Sequence, residues 1–300
     1  MNEQGLLAEE FETHRRRLRA VAYRMLGSVA EADDAVQDAW IKLSRADTDE
    51  IHNLSGWLTT VVARVCLNML RARSRRREEF VEGRVPEPII DHEDGLDPEH
   101  EALLGDEVGL ALLVVLETLA PAERVAFVLH DAFGLPFEEI APIVGRTPTA
   151  ARQLASRARR RVRGASPSVD RDLPAQRSVV DAFVAAVRTG DFDALIAVLD
   201  PEIVLRADGG TRWVGATREL RGAITVGRSA LTITRLLEGM AVQNALVNGA
   251  PGIVSRDADG APFSVMGFTM RDGRIIEIDV LADPERLARL DLTILDRPRP

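Results

Sequence analysis

The sequence is poor in several residue types, and each scarcity narrows the possible functions. Cys66 is the one cysteine, which excludes internal disulfides and cysteine-rich zinc sites. Because Cys66 stands among valines and leucines, we expect it to be a small buried hydrophobic residue. All five histidines lie between His14 and His130. The rest of the chain therefore lacks the side chain that most readily performs acid–base chemistry near neutral pH.

Long apolar runs are also missing. The longest, around Leu110–Leu116, is far too short to span a bilayer. The N-terminal residues MNEQGLLAEEFE lack the basic-then-apolar build of a signal peptide, so we expect a cytoplasmic protein. With 46% hydrophobic and 28% charged residues over 300 positions, the composition is that of an ordinary globular protein of two or three domains.

Positive charge is scarce overall and concentrated in two places. The formal net charge is -9, a balance that repels nucleic acid at long range. Yet seven arginines and no acidic residue lie between Arg146 and Arg163, and five more arginines lie between Arg71 and Arg77. Two basic clusters with acidic chain between them indicate two modules that contact DNA.

The second basic cluster follows the pattern of a helix-turn-helix. Glu138–Val144 predicts a short helix, Gly145 permits a sharp turn, and Thr147 with Pro148 predicts the start of a second helix. The second helix combines an apolar stripe with a polar face of the kind that enters a major groove. A solvated basic helix end is the competing interpretation. The polar face consists of Thr149, Arg152, Gln153, Ser156, Arg157 and Arg160.

The chain from residue 6 to about residue 78 has the pattern of packed helices. Ser28 and Glu31 form a capping box at the start of a helix with one apolar and one acidic side. A longer helix is predicted from Leu54 to about Arg77. Pro86–Glu107 then holds nine acidic residues and neither lysine nor arginine, which indicates a linker running into a helix after Asp97-Pro98.

A second break, at Gly164–Pro174, separates these helices from a segment of mixed pattern. Two helices are predicted first, and a short closing helix is expected after Asp283. Asp259-Gly260 and Asp272-Gly273 are dipeptides typical of tight hairpins. Helices packed on an antiparallel sheet make an α+β fold. The predicted helices are Ala175–Thr189 and Phe192–Leu199, and the predicted strands are Ile253–Arg256, Phe263–Met270 and Arg274–Leu281.

The order of these motifs resembles the extracytoplasmic-function (ECF) RNA polymerase sigma factors. EADDAVQDAW, WLTTVVARVCLNML and LAPAERVAFVLHDAFGLPFEEIAPIVGRTPTAARQLASRARRR resemble the two DNA-binding domains of that family. Residues 175–300 resemble the SnoaL-like, NTF2-type extension of its SigJ-like sub-group. The resemblance implies a multidomain chain: an all-α region 2 domain at 6–80, an acidic linker at 81–107, a region 4 helix-turn-helix domain at 108–165, and an α+β SnoaL-like domain at 175–300.

The resemblance also implies two partners, core RNA polymerase and promoter DNA. The helix-turn-helix face matches the reader of the minus-thirty-five element. Trp57 suits a buried core position as well as a DNA contact, and an acidic helix face can also be merely solvated. The positions that match polymerase docking are Asp33, Asp34, Gln37 and Trp40. Those that match the reader and melter of the minus-ten element are Trp57, Arg64, Asn68, Arg71 and Arg75.

The C-terminal segment carries versions of the sub-group's motifs. They are DGGTR (Asp208–Arg212), NGAPG (Asn248–Gly252) and DPERL (Asp283–Leu287), and the linker motif is FVEGRVPEP (Phe80–Pro88). The resemblance implies a domain that regulates the factor in cis, with or without a small ligand. Turn chemistry is the alternative explanation for the glycines. The regulatory motif positions are Asp208, Gly209, Gly210, Asn248, Gly249 and Gly252.

Two other functions fit part of the sequence. A ligand-responsive operator-binding regulator would use the same helix-turn-helix. A SnoaL-like enzyme fused to a DNA-binding module would need a pocket carboxylate, for which Asp208, Glu238, Asp257 and Asp279 are candidates. Since Asp208 and Asp257 lie in turn-like sequence and the segment has no histidine, we expect no enzyme activity, no cofactor and no metal.

Overall fold

The structure is a computed structural model that describes residues 3–47, 51–76, 85–104, 109–165, 170, 172–210, 217–234 and 239–296. These residues form two compact units. Unit 1 contains the described residues within Met1–Phe80, Pro98–Val108 and Val115–Ser166. Unit 2 contains those within Val81–Asp97, Gly109–Val114 and Pro167–Pro300. Among the described residues, no helix combines the length and apolar character that crossing a membrane requires.

The first helices of unit 1 are α1 (Glu3–Leu26), α2 (Val29–Leu43) and α3 (Leu54–Arg76), joined by the short α4 (Pro98–Leu104). The predicted cap at Ser28 is confirmed, because the Ser28 hydroxyl accepts a hydrogen bond from the Glu31 backbone N–H, while the Glu31 carboxylate pairs with Arg73. The three long helices pack around buried side chains that include Phe11, Tyr23 and Cys66. Burial raises the pKa of the Cys66 thiol far above its usual value, so this residue is an inert core group.

The remaining helices of unit 1 form the predicted helix-turn-helix. They are the end of α5 (Leu110–Glu117), α6 (Pro121–Phe127), a π-helical turn (Val128–Ala132), α7 (Phe137–Val144) and α8 (Pro148–Ala165). Gly145 ends α7 with φ of 69°, a left-handed conformation that favours glycine. The Thr147 hydroxyl accepts the Ala150 backbone N–H at 3.3 Å, which caps α8 as the sequence predicts.

Unit 2 is an α+β domain with a seven-stranded sheet in the order β1-β4-β5-β6-β7-β2-β3. Its strands are β1 (Ile90–His92), β2 (Leu199–Asp208), β3 (Arg218–Arg221), β4 (Ala241–Val247), β5 (Ala250–Arg256), β6 (Pro262–Arg271) and β7 (Arg274–Leu281). Its helices are α9 (Leu173–Thr189), α10 (Phe192–Val198), α11 (Ala223–Thr234) and α12 (Pro284–Leu287), followed by a 3-10 turn (Thr293–Asp296). All pairings are antiparallel except β2 with β7.

The sheet of unit 2 has two buried faces. On one face, α9, α10 and α11 cover an apolar core in which Phe183 packs edge-on against Phe268, with ring centroids 5.3 Å apart. On the other face, Val85, Ile90 and Leu110 pack against Val265 and neighbouring apolar residues. The second face is therefore covered in part by chain from the acidic segment and from the start of α5.

The acidic segment has more structure than the sequence predicts. The helix expected after Asp97-Pro98 is confirmed as α4. The sequence did not predict β1, which pairs antiparallel with β4 through Ile90 opposite Val247. Three residues are too few to show strand periodicity, so only the partner strand makes this element recognisable. The predicted domain boundaries stay predictions.

Candidate functional site

The residues expected to dock on polymerase lie along α2, and two of the four are exposed. Asp34 and Gln37 are exposed. Asp33 is held by Arg19 of α1, with Arg19 Nε 2.5 Å from Oδ1. Trp40 is half-buried and its ring lies 5.1 Å from that of Phe11. Asp34 and Gln37 are thus the free part of this face, while Asp33 and Trp40 also hold α2 against α1.

The residues expected at the minus-ten element share one side of α3. Arg64, Asn68, Arg71 and Arg75 are all exposed, and their spacing of four, three and four residues places them on a single helix face. Trp57 is half-buried in the first turn of α3, so both interpretations of this residue remain open. A single basic and polar stripe of this kind suits contact with a nucleic acid backbone and with unstacked bases.

Arg73, within the same arginine cluster, points the other way. Its guanidinium is 15% exposed, donates to the Leu26 carbonyl at 3.1 Å, and pairs with Glu31 and Glu117. Glu117 of α5 also accepts from Arg124 of α6 at 3.2 Å, and Arg124 donates to the Met25 carbonyl of α1 at 2.9 Å. This Glu117 clasp joins α1 and α3 to the helix-turn-helix within unit 1.

Helix α8 presents the six predicted residues on one exposed face. Thr149, Arg152, Gln153, Ser156, Arg157 and Arg160 are all exposed, and the opposite side is buried through Ala151, Ala155 and Ala158. The Arg152 guanidinium lies over the Phe137 ring, 5.3 Å from its centroid. Arg157 differs from its neighbours, because its Nε lies 3.0 Å from Glu123 Oε1.

The motifs of unit 2 meet at the chain that precedes β1. Asp208, at the end of β2, accepts from Arg286 Nη1 at 2.5 Å and from the Val85 backbone N–H at 3.3 Å. Arg286 of α12 also donates from Nε to Glu87 Oε1 at 3.2 Å. All three charged side chains are less than 10% exposed. Asp208, Arg286 and Glu87 form the linker clamp.

A second contact holds the same segment. The Asn248 side-chain oxygen accepts the Ile89 N–H at 2.8 Å, and the Asn248 N–H donates to the Ile89 carbonyl at 2.8 Å. Asn248 and Gly249, with φ of 50° and 77°, form the tight turn between β4 and β5. A Cβ on Gly252 would lie 2.6 Å from the Met266 carbonyl, so close strand packing requires glycine there.

The other two glycines of the motifs, Gly209 and Gly210, lie next to the linker clamp. Gly209 is buried, directly after Asp208. Gly210 has φ of 55°, and a Cβ on it would collide with the Asp283 carboxylate. These motifs therefore form tight turns and also hold the linker segment, so the two explanations of the glycines are both correct. The first part of the linker motif, Phe80–Arg84, lies outside the described residues, as do Thr211 and Arg212.

The four carboxylates considered for catalysis have separate structural settings. Asp208 belongs to the linker clamp, and Asp257 accepts the backbone N–H groups of Asp259 and Ala261 in the β5–β6 turn. Asp279 is buried on the sheet face opposite α9–α11, where it pairs with Arg206 at 3.2 Å. Burial raises its pKa to about 7, despite Arg206 and with help from Glu277. Glu238 lies outside the described residues.

Sequence reasoning missed the charged residues that connect the elements. Glu87, Glu117, Glu123, Arg73 and Arg286 each make a partly or fully buried ion pair. The signals available were weak: Glu87 stands between two prolines, and Arg286 falls in the DPERL motif. Pairing partners more than thirty residues apart cannot be read from local periodicity.

Two family descriptions match the helical part of the chain. Residues 11–76 match sigma-70 region 2, and residues 109–162 match sigma-70 region 4. These ranges contain the exposed faces of α2, α3 and α8. Two such regions on one chain define the sigma-70 class of transcription factor.

Similar proteins span nearly the whole chain. The ECF RNA polymerase sigma factor SigJ of Mycobacterium tuberculosis is 38% identical over 288 residues, 92% of each chain. The probable ECF RNA polymerase sigma factor SigI of the same species is 34% identical over 297 residues, 96% of this chain and 97% of that one. The crystal structure of M. tuberculosis SigJ covers 95% of this chain and 99% of its own, with a TM-score of 0.76 and 36% identity. The chain belongs to the ECF RNA polymerase sigma factors, and the resemblance seen in the sequence is confirmed.

Proposed function

We propose that this sigma factor binds core RNA polymerase through Asp34 and Gln37 of α2 and places α3 and α8 on a promoter. The observation that carries the proposal is that three separate helices each present the matching residues on an exposed face. The chain alone has a net charge of -9, so polymerase has to supply most of the affinity for DNA. Such a factor works in the cytoplasm, beside its polymerase and without enzyme activity of its own.

Transcription in a reconstituted system tests this proposal. Core polymerase with the full chain is expected to initiate at genomic sites that core polymerase alone ignores. An Arg152→Ala, Arg160→Ala double variant should lose most of that initiation, because both exposed side chains are expected to contact DNA. An Arg221→Ala, Arg228→Ala variant removes the same charge from exposed positions of unit 2 and should retain that initiation. Equal loss in both variants would contradict the proposal.

We also propose that unit 2 regulates the factor in cis by holding the segment around residues 85–92. That segment lies between the two DNA-binding regions in the chain, so its freedom limits how far they can separate. The linker clamp and the β1–β4 pairing fix it through buried charges and backbone hydrogen bonds. A small ligand would act by changing the contacts between unit 2 and residues 85–92. A polar groove of about 360 Å³ adjoins the segment and includes His92, Asp181, Arg188 and Asn244.

The Glu117 clasp adds a second restraint to the same proposal. Promoter elements at minus ten and minus thirty-five are roughly 25 base pairs apart, or about 85 Å at 3.4 Å per base pair. A compact body of about 150 residues has a radius of gyration near 15 Å and is therefore about 40 Å across, less than half of that distance. Unit 1 therefore has to open between α3 and α6 before both faces engage one promoter.

A further inference from the structure

Carboxylates from other helices form ion pairs with arginines on both sides of helix α8. On one flank, Glu123 of α6 uses its two oxygens separately: Oε1 lies 3.0 Å from Arg157 Nε, and Oε2 lies 3.1 Å from Arg161 Nη1. On the other flank, Asp131 Oδ1 accepts from Arg159 Nε at 2.6 Å. Three of the seven arginines in this cluster are thus engaged inside the protein.

The spacing of the arginines explains the two-sided arrangement. Positions 157 and 161 are four residues apart and share one side of the helix, whereas position 159 is turned by about 200° from position 157. Ala155 and Ala158, both fully buried, lie between the two flanks. The hydrogen bond from Arg159 to Asp131 raises the pKa of this guanidinium above its already high value.

The buried side of α8, apart from the half-buried Leu154 and Val162, offers few long side chains that could fix the helix's rotation about its own axis. It consists mainly of alanines, and a methyl group interlocks less with a neighbouring helix than a long side chain does. A rotation of a few tens of degrees would move Arg152, Gln153 and Arg160 out of line with base edges, since readout depends on the direction of these side chains. Ion pairs on opposite flanks resist rotation in both senses.

We infer that Glu123 and Asp131 are positioning residues that fix the rotation of α8 and so set the specificity of minus-thirty-five readout. Neither residue was among those expected to contact DNA, and both act through arginines. The inference rests on the proposed function, because it assigns a role within promoter recognition. Glu123 is the stronger of the two, since its side chain is 9% exposed and holds two arginines.

Binding by the full chain in complex with core polymerase tests the inference. The probes are a duplex selected from a random library by the wild-type complex, and the same duplex with its minus-thirty-five element scrambled. Glu123→Gln should lower the ratio of the two affinities by about tenfold, mainly by weakening binding to the selected duplex. Asp131→Asn should have a smaller effect in the same direction. Glu139→Gln is the matched control, because it removes the same charge from an exposed position of α7.

Three results would overturn the inference. The complex with Glu123→Gln could distinguish the two duplexes as well as the complex with Glu139→Gln does. It could also bind both duplexes more tightly by the same factor, which would show that Glu123 only competes with DNA phosphates for the arginines. In a double-mutant cycle with Arg161→Gln, the loss should be no greater than in the worse single variant, and additive losses would show independent roles. A wild-type complex that fails to discriminate between the duplexes would instead contradict the proposed function itself.

Discussion

Arg286 and Asp208 form a buried ion pair, with Nη1 2.5 Å from Oδ2, although 78 residues separate them in the chain. Glu87 completes the arrangement from the acidic segment. Arg286 is the common cation of two buried carboxylates, so its loss would leave both of them without this partner. The linker clamp therefore depends on Arg286 more than on either carboxylate.

Removing Arg286 should damage unit 2 strongly. Arg286→Gln leaves the carboxylates of Asp208 and Glu87 buried without their common partner, which should cost about 3–5 kcal/mol of unfolding free energy. Arg289→Gln is the control, because Arg289 is 52% exposed and lies 3.8 Å from Glu87, and it should cost less than about 1 kcal/mol. Denaturant unfolding of both variants measures the difference. Equal free energies of unfolding in the two variants would show that the linker clamp does not stabilise unit 2.

Loosening the Glu117 clasp should help unit 1 to open. Glu117→Gln weakens the contacts with Arg73 and Arg124, so we expect a loss of about 1–3 kcal/mol in the stability of the closed form. Because opening then costs less, the polymerase complex should bind promoter DNA more tightly. Hydrogen exchange of α5 and α6 and promoter affinity are the two measurements. Faster exchange without any gain in affinity would contradict the need for opening.

Asp279 should make the stability of unit 2 depend on pH. Its pKa is about 7 in the folded protein and near 3.8 when unfolded, so the folded state binds the extra proton between these values. The contribution to stability is full below about pH 3.8 and is lost as pH rises through 7. Asp279→Asn, which stays neutral, should match the wild type only below about pH 3.8, and its advantage in stability should grow by about 2–3 kcal/mol between pH 5 and pH 8.

Thermal unfolding at the two pH values measures this difference. Asp259→Asn, at an exposed turn position, serves as the control and should show no such change. If the wild type unfolds at a higher temperature than Asp279→Asn at pH 8, the ion pair with Arg206 outweighs the cost of burying the carboxylate.

Gly252 should not tolerate a side chain. In Gly252→Ala the new Cβ would meet the Met266 carbonyl at 2.6 Å and Val247 Cγ2 at 2.4 Å, so strands β4, β5 and β6 must shift. Overpacking of this kind costs about 1–3 kcal/mol. Gly95→Ala is the control, since open space surrounds that position. Denaturant midpoints that move equally in the two variants would contradict the close approach.

Local patterns predicted much of the fold. The caps at Ser28 and Thr147, the turn at Gly145 and the hairpin at Asp272-Gly273 were all readable, because each depends on a few neighbouring residues. Helix α11 was not predicted: its sequence AITVGRSALTIT is rich in β-branched residues and contains Gly227. A Cβ there would lie 3.2 Å from Phe192, so packing against α10 determines this element rather than propensity.

The exposed faces of the candidate sites followed from helical periodicity, but their supporting contacts did not. The outward positions on α3 and α8 are those that the 3.6-residue repeat predicts. Arg73 and Arg157 stand in arginine-rich sequence, as their neighbours do. Arg73 nevertheless points inward to Glu117, and Arg157 pairs with Glu123. Which arginines are engaged depends on tertiary partners far away in the chain.

Binding to core RNA polymerase tests the central claim most directly. The full chain should co-elute with core polymerase in gel filtration at micromolar concentration, and an Asp34→Ala, Gln37→Ala variant should not. A Glu9→Ala, Glu10→Ala variant, altered at exposed positions of α1, should still co-elute. Failure of the wild type to co-elute would contradict binding to core polymerase, and co-elution of the Asp34→Ala, Gln37→Ala variant would contradict the assignment of α2 as the polymerase-docking helix.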